Sequence, residues 1–233
     1  MIGKAIVVAV DGPSGAGKSS VSRAVARRLG LRYLDTGAQY RAMTWWMLRH
    51  GVNVADRQAV TAACDKPVVV SGTDPDDPAI TVDGQDVAEQ IRTPEVTAAV
   101  SAVAAVQPVR DRLIALQRQI IAAALAESDG VVAEGRDIAD VVYPAAASKI
   151  YLTASPEARA ERRNAELDGA DGSDGEGPVA EDTLADLQRR DAEDARTTRP
   201  LEAAPGAVVV DATHLTLTQV IDRVVELVEA VRI

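Results

Sequence analysis

The stretch "VVAVDGPSGAGKSS", residues 7–20, constrains the fold more than any other part of the chain. An apolar run of strand character ends at Asp11, breaks into a glycine loop, and reaches a lysine and two serines that open a helical pattern. Gly12, Pro13, Ser14, Gly15, Ala16, Gly17, Lys18 and Ser19 match G-x-x-x-x-G-K-[ST], and Ser20 follows. Each residue type has a physical reason. Glycines let backbone N–H groups turn inward around phosphate oxygens, and the helix that follows sets its positive N-terminal end under the same anion. Lys18 is expected to reach the β and γ phosphates as a point charge, and Ser19 to hold Mg²⁺ through its hydroxyl. A nucleoside triphosphate site is therefore expected here.

Five short β-type runs recur along the chain, at 5–10, 32–35, 131–134, 149–153 and 207–211. Three are apolar without alternation, the pattern of strands covered on both faces. Helical stretches are expected at 18–29, 37–50, 94–127, 156–167, 180–196 and 216–231. In the last, Val220, Val224, Leu227, Val228 and Val231 fall on one face at 3.6 spacing. Strands alternating with helices predict an α/β protein of the P-loop NTPase fold: a five-stranded parallel sheet with helices on both faces. Two regions interrupt the alternation. Residues 65–93 carry two β-like runs joined by Pro- and Asp-rich turns, and read as a small antiparallel insert; Pro94 then starts a helix. Residues 167–182, "LDGADGSDGEGPVAED", read as a flexible solvated loop.

Composition bounds the rest. Aromatic residues make up 3%, with no Phe, so the core must be built from Ala, Val, Leu and Ile. A net charge of −10 argues against a nucleic-acid polymer as partner, but leaves room for a local basic pocket that holds a small phosphate. With one cysteine, Cys64, no intrachain disulfide can form, and a buried, inert thiol is expected. His50 and His214 stand alone, so no His/Cys metal site is expected. No stretch is apolar for long enough to span a membrane, and the N-terminus lacks a secretory pattern; no membrane association and a cytoplasmic location are expected.

Arginines mark where a second phosphate would go. In "LDTGAQYRA" (34–42) a strand ends, Thr36 is placed to cap the next helix or donate to an anion, and Arg41 projects from its first turn. Arg110 lies in "VRDRL", and Arg136 and Asp137 directly follow a strand. Strand C-termini of a parallel sheet share one rim with the glycine loop, so these groups can converge on one cleft. The bidentate guanidinium suits an acceptor phosphate. A further set flanks the acidic loop: Arg159, Arg162 and Arg163 before it, and Arg189, Arg190, Arg196 and Arg199 after it. Two arginine-bearing helices joined by a loop describe a lid that would bring positive charge onto a transferring phosphoryl group and exclude water. Surface ion pairs with Glu157, Glu161 and Glu193 are the alternative use of those arginines.

"DGPSGAGKSS", "LDTGAQYR", "DVAEQIRTPEVTAAVSAVAAVQPVR", "VVAEGRDIADVVYP", "KIYLTAS", "RRDAEDARTTRPL" and "VVVDATHLT" together resemble the bacterial cytidylate kinases of the nucleoside monophosphate kinase group, over nearly the whole chain. The resemblance implies ATP-dependent phosphoryl transfer to CMP or dCMP in pyrimidine nucleotide metabolism, with ATP and Mg²⁺ as cofactors and a monomeric enzyme. It implies one kinase domain: a core at about 1–64, 94–154 and 200–233, a monophosphate-binding β insert at about 65–93, and a lid at about 155–199. Carried over by motif, Thr36, Arg41, Ser101, Arg110, Asp137, Arg190, Asp194 and Arg196 would contact the monophosphate. Arg41 and Arg110 would hold its phosphate, Ser101, Arg110 and Asp137 would read the cytosine edge, and Arg190 and Asp194 would lie near the sugar. Lys18, Arg159, Arg163 and Arg190 would neutralise charge during transfer. The family pattern has Gly-Thr where this chain has Ala139-Asp140 and Phe where Tyr143 stands, and its last basic segment is one residue longer. Asp140 is expected to turn outward or to weaken anion binding, and Arg199 is a substitute for Arg196.

Other classes fit less well. No base-reading "NKxD" segment of a GTPase is present, and the chain is short for a motor-type ATPase. A P-loop kinase of another acceptor, UMP or AMP, and a non-catalytic nucleotide-binding regulator remain as alternatives.

Overall fold

The computed structural model describes residues 5–171, 180–195 and 202–232. Strand β1 (Ile6–Asp11) enters the glycine loop and helix α1 (Lys18–Leu29) leaves it. There follow β2 (Arg32–Asp35), α2 (Thr36–Arg49) and α3 (Arg57–Ala63). Next come β3 (Val69–Ser71), β4 (Ile80–Val82) and β5 (Gln85–Asp86), a 3-10 turn at Gln90–Arg92, and helices α4 (Pro94–Ala104) and α5 (Gln107–Glu127). Strand β6 (Gly130–Gly135), a π-helical turn at Ile138–Val142, β7 (Ser148–Thr153), α6 (Pro156–Asp171), α7 (Ala180–Asp194), β8 (Val208–Asp211) and α8 (Leu217–Glu229) complete the order.

The main sheet is parallel, in the order β2-β6-β1-β7-β8, as the strand–helix alternation predicts. Central β1 shows why its sequence is apolar throughout. Ile6, Val8 and Val10 face Val21 and Val25 of α1 and Val220, Val224 and Val228 of α8. Val7 and Ala9 face Ile114, Ile121 and Ala124 of α5 on the other side. Side chains alternate faces along a strand, so a strand with helices on both sides needs an unbroken apolar run. Each fully buried Val, Leu or Ile contributes about 1.5–3 kcal/mol. Small Val and Ala side chains let the helices lie close to the sheet, consistent with the scarcity of aromatic residues.

The structure departs from the sequence reading at several places. The single helix expected over 94–127 is two, α4 and α5, because Val106 is extended and Pro108 stands in the first turn of α5, where its missing N–H costs no helical bond. Helix α3, capped by Asp56 accepting from the Gln58 N–H, has only seven residues and no long apolar period to announce it. The insert has three antiparallel strands, not two. Asp83 and Gly84 both take positive φ, 52° and 81°, between β4 and β5, the two-residue hairpin turn for which Asp-Gly is a strong signal. In α8, Val225 joins the buried face and Val231 is exposed, because the helix ends at Glu229. Cys64 is buried, and burial pushes its thiol pKa up, consistent with an inert thiol.

Candidate active site

The glycine loop is built against the neighbouring strand. Gly12 has φ 151°, and a Cβ there would lie 2.0 Å from the Leu152 carbonyl oxygen of β7. Gly17, at φ 89°, occupies the left-handed region directly before α1 and turns the chain into the helix. We expect Gly12→Ala to lower stability by about 2 kcal/mol, through overpacking against backbone that cannot retreat. That is about 4–8 °C in Tm for a chain of this size, readable by calorimetry without nucleotide.

Acidic residues close three adjacent strands around this loop. Asp11 ends β1 and accepts from the Ile138 and Ala139 N–H groups, both at 2.8 Å, which moors the turn after β6. Burial pushes its carboxyl up to about 6. Glu134, near the end of β6, is buried and accepts from the Tyr33 hydroxyl; burial and then the Asp35 charge push it up to about 7. Asp35 ends β2 and caps α2 by accepting from the Ala38 N–H. Capping therefore falls to Asp35, while the Thr36 hydroxyl donates to the Glu134 carbonyl at 2.6 Å. Helix α2 starts at Thr36, which puts Arg41 in its second turn rather than its first.

Lys18 reaches back over the loop, and its ammonium donates to the Pro13 carbonyl at 2.9 Å. Burial first and the Arg136 charge second push it down to about 8, against the opposing pull of Glu134, Asp11 and Asp35. An anionic ligand would restore the charged form. Affinity for a triphosphate is therefore expected to fall as pH rises through about 8, where the free protein would lose this cation, and binding near that pH is expected to take up protons. Calorimetric titration in two buffers of different ionisation enthalpy measures that uptake directly.

A cleft of about 610 Å³ opens on this rim. Ser14, Gly15, Gly17, Lys18, Ser19 and Ser20 line one side. Thr36, Arg41, Ser101, Arg110 and Asp137 line the other, and Arg136 and Arg163 also border it. Residues drawn from α2, α4, α5 and the turn after β6 thus face one space with the loop. Within it the Arg110 guanidinium of α5 pairs with the Asp137 carboxylate, both side chains nearly buried. Asp140 is exposed and does not line the cleft.

The arginines expected in a lid divide. Arg159 does not line the cleft: it is buried under the loop, donating to the Ser14 carbonyl at 3.0 Å and to Asp191 of α7 at 2.5 Å. Asp191 also accepts from the Ser14 N–H at 3.4 Å and lies 3.8 Å from Arg136. Arg189 pairs with Glu193 at 3.0 Å on an exposed helix face, the surface role weighed for this group. Arg190 and Asp194 lie on α7, with side chains outside those described; Arg196, Arg199 and the tip of the acidic loop lie outside the described residues. Arg162 donates to the Ala16 and Ala212 carbonyls and borders a second, mostly apolar cavity of about 340 Å³ beside Val21, Leu215 and Val220. Sequence reasoning missed this cavity, and also Asp11, Glu134, Tyr33 and Asp191. An acidic residue at or next to the end of β1, β2 and β6 was the available signal for the first two. Nothing local marks Asp191, which lies 177 residues from Ser14.

The family model for cytidylate kinase matches residues 8–230. The chain belongs to the cytidylate kinase family. The cytidylate kinase of Streptomyces avermitilis is 56% identical over 229 residues, 98% of this chain and 94% of that protein. That of Nocardia farcinica is 53% identical over 218 residues, covering 93% and 90%. That of Mycolicibacterium paratuberculosis is 48% identical over 225 residues, covering 96% and 95%. The matched lengths run across both sides of the cleft, not the glycine loop alone. Among the described residues no helix is long and apolar enough to cross a membrane.

Proposed function

We propose that this chain transfers the γ-phosphoryl group of ATP to CMP or dCMP, giving ADP and CDP or dCDP. The observation that carries the reading is one cleft with a triphosphate loop on one side and the Arg110–Asp137 pair, Ser101 and Arg41 on the other. A binder of one nucleotide has no use for the second half.

The apolar cavity beside Arg162 suits the adenine ring, with the guanidinium against its face, and leaves the triphosphate to the loop. Lys18 would neutralise the β and γ phosphates. Arg41 and Arg110 would orient the acceptor phosphate, whose oxygen attacks the γ phosphorus as the bond to the β–γ bridging oxygen breaks and ADP leaves. The acceptor is already anionic, so positioning and charge neutralisation matter more than a strong base. Arg163 and, from α7, Arg190 would add charge as the lid closes; Arg159 would act by holding α6 and α7 to the loop. Asp137 would accept from the cytosine N4 amino group, where uracil offers an acceptor instead. Arg190 and Asp194 would lie near the sugar, and Arg196 would be a further contact of the monophosphate.

Mg²⁺ fits the donors present. The Ser19 hydroxyl and the adjoining Glu134 carboxylate are hard oxygen ligands. Among the described residues no group of three or more His, Cys, Asp or Glu side chains forms a cage, so phosphate oxygens and water would complete the shell. The bound ion would neutralise charge on the β and γ phosphates.

The test is ADP release from ATP–Mg²⁺ with CMP, dCMP, UMP, AMP and GMP offered separately. Activity concentrated on CMP and dCMP is expected. Activity mainly on UMP or AMP would overturn the base assignment while leaving the kinase. ADP release without an acceptor would make the protein an ATPase, and no release with any acceptor would favour a regulator.

A further inference from the structure

Arg41 comes to the cleft on a long, flexible side chain, yet its guanidinium is held in two places. Its Nη1 donates to the Ile91 carbonyl at 3.1 Å and to the Thr97 hydroxyl oxygen at 2.9 Å. The first acceptor belongs to the 3-10 turn that ends the insert, the second to the first turns of α4. An Nη atom carries two protons, so two acceptors on different elements commit both and fix the orientation of the guanidinium plane. Thr97 lies four residues before Ser101 on α4, one helical turn apart, and Ser101 lines the same cleft. The hydrogen bond that orients Arg41 thus also sets its distance from the base-facing end of the site.

We infer that Thr97 is a positioning residue for the acceptor phosphate, acting through Arg41; this rests on the reading of Arg41 as a phosphate-binding residue. An arginine ordered before the ligand arrives loses less conformational freedom on binding, so removing the anchor weakens the acceptor and leaves the donor alone. Of these two acceptors Thr97 is the side chain, so it can be changed by substitution without moving the backbone. Thr97→Val keeps the β-branched shape and deletes the acceptor oxygen; Thr97→Ser keeps the oxygen.

Steady-state kinetics and calorimetric binding of CMP are measured on wild type, Thr97→Val, Thr97→Ser and Arg41→Ala, with Thr97→Ala as a second deletion should valine disturb α4. Thr97→Val is expected to raise KM and Kd for CMP about 3- to 10-fold, with kcat and KM for ATP within twofold of wild type. Thr97→Ser is expected to restore CMP affinity. If Arg41→Ala raises KM for CMP and neither Thr97→Val nor Thr97→Ala does, the positioning role is overturned and the acceptor reading stands. If Arg41→Ala leaves CMP binding unchanged, both fall together. Equal losses in kcat and in both KM values would show a general packing role and also overturn the inference.

Discussion

Lys18→Ala is expected to reduce turnover at least about 10³-fold while leaving the fold in place. The magnitude follows from what a single well-placed cation supplies in phosphoryl transfer, where little covalent chemistry falls to the protein. Lys18 is the loop's own cation, and among the described residues its hydrogen bond is to the Pro13 carbonyl. Removing it deletes one bond at the edge of the cleft and opens no cavity in the core beneath β1. It also removes the positive charge that favours ionisation of Asp11 and Glu134. Both carboxyls should therefore titrate still higher in the variant instead of being left as uncompensated charges. Tm should stay within a few degrees of wild type while ADP release collapses at saturating CMP and ATP. A rate near wild type would remove Lys18 from the phosphate site and with it the direction in which the loop is read.

What the sequence disclosed follows the range of the forces involved. Strand β1 and the loop after it are legible because their determinants are contiguous: an apolar run that must be covered on both faces, then glycines whose backbone angles no other residue takes cheaply. The hairpin at Asp83-Gly84 is equally local, and its signal stands in the sequence although the reading there stopped at two strands. The gap between α4 and α5 is harder, since apolar residues on both sides of Val106 keep a helical period and only Pro108 marks the restart. The site divides in the same way. The arginines of both flanks of the cleft can be found from their places after strand ends, but their uses cannot. Arg159 and Arg163 differ by one turn on α6; the first is buried against Ser14 and Asp191 and the second borders the cleft. That difference is set by packing between α6, α7 and the loop. The same holds for Asp11, whose two backbone partners lie 127 and 128 residues away.

Asp137→Asn tests the other end of the cleft and should produce the second largest effect, this time on specificity. In the wild type the Asp137 carboxylate neutralises Arg110, and both side chains are nearly buried. Asparagine keeps the shape and removes the charge. Its single carbonyl oxygen would be drawn to the Arg110 guanidinium, turning the amide N–H groups toward the base. A donor facing the cytosine N4 amino group is repulsive, whereas a donor facing uracil O4 is a hydrogen bond. The kcat/KM for CMP is expected to fall about 100-fold, near 2.7 kcal/mol, and the preference for CMP over UMP to shrink at least about tenfold. The loss of charge against Arg110 would cost stability as well, so Tm is measured in parallel to separate the two effects. The ratio of CMP to UMP activity decides the matter, because a general loss of folding or of Arg110 alignment lowers both rates together. If both fall with their ratio unchanged, Asp137 acts only as the partner that holds Arg110, and the base is read elsewhere in the cleft, with Ser101 the first residue to substitute.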